Sequence, residues 1–110
     1  DTRELDDVIR EVCEMGLIPS FCTSCYRAGR TGEHFMSLAK PGFVNNFCVP
    51  NAVLTFKEYL DDYASEETRQ AGGRVIDDEI ASFKTVNPRL APKLLEKLKM
   101  VEEGCRDVHI

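Results

Sequence analysis

Nothing in this 110-residue chain is apolar for long enough to span a membrane. Its hydrophobic runs are a few residues each, against the roughly 20 that a spanning helix needs. No charged-then-apolar leader opens it. Positive charge is scarce: 14 Lys and Arg against 19 Asp and Glu leave a net charge of -5, which argues against nucleic acid as the main partner. There is no repeat, low-complexity tract or linker, so residues 1–110 read as a single domain. A (β/α)8 barrel takes roughly 200 residues or more and does not fit. Five cysteines, an odd number, exclude complete intramolecular disulfide pairing. Together with the missing leader, this predicts a reduced, cytoplasmic setting. The chain opens on Asp1 rather than Met, which fits a processed product or an excised fragment.

What is present is ordinary globular composition, with 43% hydrophobic and 30% charged residues. Helical spacing recurs along it. Leu5, Val8, Ile9 and Val12 follow i, i+3, i+4, i+7, with Thr2 able to cap the helix and Gly16 able to end it. Residues 17–30 read as irregular. Residues 32–40 allow a short helix before Pro41-Gly42 breaks it, and 43–49 allow an extended stretch. Asn51 is placed to cap a helix with Val53, Phe56, Tyr59, Leu60 and Tyr63 on its apolar face. Ser65, Glu66 and Glu67 form a fresh helix start, and Val75, Ile76, Ile80 and Phe83 continue it, with Gly72-Gly73 able to bend or split it. Asn87-Pro88 begins a last helix that starts properly only near Pro92, with Leu94, Leu95, Leu98 and Val101 inward and Gly104 as the stop. The expected fold is mainly α: four or five helices around an irregular cysteine-bearing loop.

That loop carries the chemistry. Cys22 and Cys25 form a C-x2-C pair, and Cys48 follows after 22 residues. Such spacing serves zinc and iron–sulfur clusters alike. Structural zinc wants four protein ligands, whereas a 4Fe–4S cluster can take three thiolates and leave one iron open. His34 offers a fourth ligand, though it reads more simply as a surface residue. A thioredoxin-like redox pair lacks its βαβ surroundings, and ordinary buried thiols stay an open reading. Cys13 falls on the apolar side of the first helix, as core; Cys105 follows Gly104 as a bystander. Between Leu17 and Pro50 the charges are Arg27, Arg30 and Lys40 against Glu33, a local +2 that leaves -7 for the rest. Cations there favour thiolates in their metal-bound form. Arg27 and Arg30 can donate hydrogen bonds to sulfides or to an anion. Gly29 and Gly32 are turn residues, since no Gly-Lys-Ser/Thr follows to make a phosphate loop.

The runs GLIPSFCTSCYRAGRTGEHFM and AKPGFVNNFCVPNAVLTFKEYLDDYA resemble the C-terminal auxiliary-cluster domain of the radical-SAM tyrosine lyases that mature iron-only hydrogenase. The resemblance is strongest over about residues 8 to 80. It implies that Cys22, Cys25 and Cys48 bind an auxiliary 4Fe–4S cluster. Its open iron faces an additional iron that, with free cysteine, collects carbon monoxide and cyanide. In that family these diatomics come from tyrosine, cleaved to p-cresol and a dehydroglycine fragment by a radical made from S-adenosylmethionine at a second 4Fe–4S cluster. The C-x3-C-x2-C triplet of that second cluster is absent here. Radical generation, the S-adenosylmethionine and tyrosine sites, and a barrel histidine for the additional iron therefore belong to a barrel outside these residues.

Three functions follow. The first is a fragment of a larger barrel enzyme, a cluster-binding domain inactive on its own whose partners are the missing barrel and other hydrogenase maturation proteins, with no nucleic acid and no membrane. The second is a non-catalytic zinc-binding or interaction module. The third is a helical interaction domain with structural cysteines.

Overall fold

The computed structural model describes residues 2–21, 35–39 and 50–110. Within them the chain runs α1 (Thr2–Glu14), β1 (Ile18–Phe21), β2 (Phe35–Ala39), α2 (Pro50–Tyr63), α3 (Glu66–Val86) and α4 (Ala91–Glu102). The mainly α expectation holds, with four helices among the described residues.

Helix ends follow local chemistry. After α1, the Gly16 N–H bonds the Cys13 carbonyl at 2.9 Å and the Leu17 N–H reaches back to Val12 at 3.1 Å. This paired closure needs a left-handed residue, and Gly16 supplies it at φ +78°. Gly104, at φ +101°, closes α4 in the same way, with Cys105 N–H on the Met100 carbonyl at 2.9 Å. Ser65 caps α3, its side chain accepting from the Thr68 N–H, and Glu66 and Glu67 favour the positive end of the helix. Asn87 Oδ1 accepts from Leu90 N–H at 3.3 Å, a turn of chain follows, and α4 begins at Ala91 with Pro92 in its first turn.

Four sequence expectations change. Residues 18–21, expected to be irregular, and 35–39, expected in a helix, are the arms of an antiparallel hairpin, with Ile18 opposite Ala39 and Phe21 opposite Phe35. Short apolar runs do not reveal their period, and the partner strand lies too far along the chain for local spacing to report it. Among the described residues the sheet has two strands, each with an open edge, which accommodates Pro19. Asn51 does not cap α2: the helix already starts at Pro50, and Asn51 lies one residue inside it. Gly72-Gly73 does not split α3, which runs unbroken for 21 residues. Finally, Val8, Tyr63 and Leu95 sit on the predicted apolar faces, yet they are exposed.

The core joins all four helices and β1. Ile9 and Cys13 of α1 meet Ile18 of β1, Phe56, Tyr59 and Leu60 of α2, Val75, Ile76 and Phe83 of α3, and Leu94 and Leu98 of α4 in one cluster. α1 packs mainly on α3, and α2 on α4, α3 and β1. Gly72 makes the α2–α3 contact close: a Cβ there would lie 2.6 and 2.8 Å from the Leu60 δ carbons. The α1–α3 contact is polar at one end. Buried Asp6 accepts from the Ser65 N–H at 2.8 Å, Ser65 Oγ at 2.8 Å and Thr68 Oγ1 at 2.9 Å. Burial alone would raise the Asp6 carboxyl, but these donors and the Arg10 cation outweigh it and hold it below its usual value.

After α4, Arg106 donates from Nε and Nη2 to the two carboxylate oxygens of Asp62, and from Nη1 to the Val101 carbonyl at 3.0 Å. The following residues reach the other end of α2. There Asn51 Oδ1 accepts from the Ile110 N–H at 2.8 Å and Nδ2 donates to the Ile110 carbonyl at 3.4 Å. Val108 and Ile110 pack on the core between and beside these anchors.

Candidate metal centre

The proposed ligands Cys22, Cys25 and Cys48 lie outside the described residues, as do Arg27, Arg30 and His34. What the structure supplies is the frame that bounds them. Phe21 pairs with Phe35, so residues 22–34, with Cys22, Cys25, Arg27, Arg30 and His34, leave and re-enter a single hairpin. Cys22 follows the last residue of β1 directly. Residues 40–49 join β2 to α2, and Cys48 stands two residues before Pro50, the first of that helix. α2 and β1, the elements that Cys48 and Cys22 adjoin, pack against each other.

Cys13 lies in the core, as its place on the apolar side of α1 predicts. Cys13 is 4% exposed, and burial, followed by the nearby Glu14 charge, pushes its thiol up to about 12. A thiol that holds its proton so firmly is a poor metal ligand, because the thiolate is the binding form. Cys105 is exposed, and both are free thiols. Among the described residues no group of three or more His, Cys, Asp or Glu could hold a metal ion. By ligand number, three thiolates would match a 4Fe–4S cluster with one open iron, whereas closed structural zinc takes four protein ligands. On donor chemistry, the residues of the cysteine segments fit the group.

Three buried carboxylates, Asp6, Glu58 and Glu79, escaped the sequence reading. Glu79 is 1% exposed, and among the described residues neither of its oxygens has a hydrogen-bond partner. Desolvation pushes its carboxyl up to about 7. The signal was present in the sequence: Glu79 falls four residues after Val75 and four before Phe83, within the apolar stripe of α3. A groove of about 420 Å3 between α2, α3 and α4 has Leu60, Ile76 and Leu98 among its lining, with Lys57, Asp61 and Lys99 also on it. Lys57 pairs with Asp61 at 3.0 Å, and the groove's mixed charges select no ligand class.

Comparison with known proteins finds a similarity to a hydrogenase maturase. The chain matches a crystal structure of HydG, described as a maturase of the FeFe hydrogenase, with 43% sequence identity and a TM-score of 0.64. The match covers 96% of this chain and 23% of the HydG chain, so these 110 residues correspond to about a quarter of that protein. The resemblance carried by the cysteine segments is thus a similarity to HydG that extends over nearly the whole chain. No family model and no curated protein matches the chain. Among the described residues no helix is long and apolar enough to cross a membrane.

Proposed function

We propose that residues 1–110 form the auxiliary-cluster domain of a radical-SAM tyrosine lyase of hydrogenase maturation, with Cys22, Cys25 and Cys48 as thiolate ligands of a 4Fe–4S cluster. The observation that carries this reading is 43% identity to HydG over 96% of the chain. It is supported by the three thiols of the two cysteine segments, and by the lack of any alternative metal-binding group among the described residues. When bound, the cluster would supply the iron chemistry at which, on this reading, carbon monoxide and cyanide would be collected.

The chain's own residues have simpler tasks. The three thiolates fix the cluster in place. Arg27 and Arg30 would be able to donate hydrogen bonds to its sulfides or to an anion beside it, which would also favour the deprotonated thiols. Cys13 keeps its proton in the core. S-adenosylmethionine and the second 4Fe–4S cluster are assigned to a barrel beyond these residues. That barrel and other maturation proteins are the proposed partners, in a reducing cytoplasmic setting.

Anaerobic reconstitution with iron and sulfide tests the reading. Iron with acid-labile sulfide and broad visible absorption is expected, abolished by Cys22→Ser, Cys25→Ser or Cys48→Ser and kept by Cys13→Ala and Cys105→Ser. Stoichiometric zinc with no reconstitutable cluster would replace this reading with a zinc-binding module. Loss of cluster in Cys105→Ser as complete as in Cys25→Ser would overturn the ligand assignment. With the cluster loaded, the chain should still release no p-cresol from tyrosine, S-adenosylmethionine and reductant.

A further inference from the structure

The corner where α3 turns into α4 is charged unlike the rest of the chain. Residues 80–95 carry Lys84, Arg89 and Lys93 and no Asp or Glu, a local +3 that leaves -8 for the remainder. All three cations are exposed, and among the described residues none of them forms an ion pair. Arg10, Lys57, Arg69 and Arg106, by contrast, each hold a carboxylate.

The same corner holds an apolar pocket of about 250 Å3. Lys84 of α3, Pro88 of the turn, and Ala91, Pro92 and Leu95 of α4 line it. Lys84 is its one charged lining residue, whereas the neighbouring groove carries both signs. Ala91 is buried, while Pro88, Pro92 and Leu95 are open to solvent, as is Val86 beside them in sequence. The two prolines fix their own φ, so this wall is already ordered before anything binds.

Helix chemistry does not account for two of the cations. The start of a helix is its positive end, where acidic residues are favoured and basic ones are not. Arg89 stands just before α4 and Lys93 lies in its first turn, which holds no acidic residue. Both therefore act against the helix they adjoin. Lys84, in the last turn of α3, suits its place.

We propose that this corner is a docking surface for an acidic segment of another protein. The segment places one apolar side chain among Pro88, Pro92 and Leu95, and its carboxylates meet Lys84, Arg89 and Lys93. The proposal is independent of the cluster reading. An apolar anchor in a pocket, ringed by charge of one sign, is the arrangement that gives a peptide both affinity and register. The pocket lies just below the roughly 300–1,000 Å3 of small-molecule sites and has the scale of a side chain. A membrane suits it less: lipid-binding basic segments gather about 4–8 cations, and here three stand on a chain otherwise at -8.

The test uses the full chain and a fluorescein-labelled peptide of about a dozen Asp and Glu residues around one central leucine, read by fluorescence anisotropy. Binding is expected to weaken as salt rises. A peptide with serine in place of the leucine should bind about tenfold more weakly. The Arg89→Glu, Lys93→Glu double variant should lose about tenfold, yet unfold at or above the parental temperature, because it puts acids at the start of α4. Lys84→Gln and Leu95→Ser should each weaken binding severalfold, and Lys97→Glu, outside the patch, should not. Absence of peptide binding would overturn the proposal. So would equal affinity for the serine peptide, or a loss in Lys97→Glu as large as in the double variant, which would mean unspecific charge attraction. Tighter binding to phosphatidylserine–phosphatidylcholine vesicles than to the peptide would give the surface to a membrane instead. A dimer in sedimentation, dissolved by the double variant, would give it to a second copy of the chain and equally overturn the proposal.

Discussion

Two adjacent glycines should respond to the same substitution with opposite signs. Gly72 and Gly73 both lie within α3, where replacing glycine by alanine gains about 1 kcal/mol of helix propensity. At Gly73 nothing lies within 4 Å of an added Cβ, so the whole gain should appear. Gly73→Ala is expected to raise stability by roughly 0.5–1 kcal/mol. At Gly72 the Cβ would lie 2.6 and 2.8 Å from the Leu60 δ carbons and 3.1 Å from Phe56 Cζ. Leu60 is 2% exposed and Phe56 fully buried, so neither can swing into solvent. Overpacking of this kind costs about 1–3 kcal/mol, which exceeds the propensity gain through most of its range. Gly72→Ala is therefore expected to lose about 1 kcal/mol net. The two variants should differ by about 2 kcal/mol, or roughly 8–16 °C in unfolding midpoint for a domain of this size. Urea and thermal unfolding of the three proteins in one buffer would measure it. Equal stabilisation by both substitutions would refute the claim that Gly72 exists for the close approach of α2 and α3.

The carboxyl groups predict an acid–base profile. Glu79 is pushed from 4.5 to about 7 by burial, so folding favours its protonated form; its contribution is intact below pH 4.5 and is lost as the pH rises through about 7. The total is on the order of 3 kcal/mol. Glu79→Gln should remove this slope and be the more stable protein at pH 8; an unchanged slope in urea titrations from pH 5 to 8 would exclude Glu79 as its source. Asp6 works in the opposite direction: its carboxyl is held low, so its contribution is present above its unfolded-state value and is lost as the pH falls through the folded one. Asp6→Ala, which strands Ser65 and Thr68 donors, should cost roughly 3 kcal/mol near neutrality, and a loss within 0.5 kcal/mol of zero would show that water replaces the carboxylate. Removing metal should raise hydrogen exchange across residues 20–49 and leave α3 and α4 protected; equal exchange in loaded and metal-free protein would mean that packing alone holds that segment.

Much of the helical content was legible in the sequence because its causes are local. Apolar residues at i, i+3, i+4 mark α1 to α4, Ser65 announces its own cap, and Gly16 and Gly104 mark stops that need a left-handed residue. The proposed ligand set Cys22, Cys25 and Cys48 rests on spacing and resemblance and lies outside the described residues. Tertiary structure decided whatever depends on a partner far along the chain. The hairpin needed residues 35–39 to find 18–21, and Asp6 needed Ser65, 59 residues away. Asn51 looked like a cap until Ile110, also 59 residues away, claimed both ends of its amide. Gly72-Gly73 looked like a break, because local propensity counts glycine as a cost to a helix; the proximity of Leu60 and Phe56 makes a missing side chain the condition for packing. Glu79 was visible as a charge in an apolar stripe, but only the assembled helices determined that both its oxygens would be buried without a donor among the described residues. Periodicity and caps act within a few residues and can be read in order along the chain. Burial, register and side-chain pairing are properties of surfaces that meet only when the chain has folded.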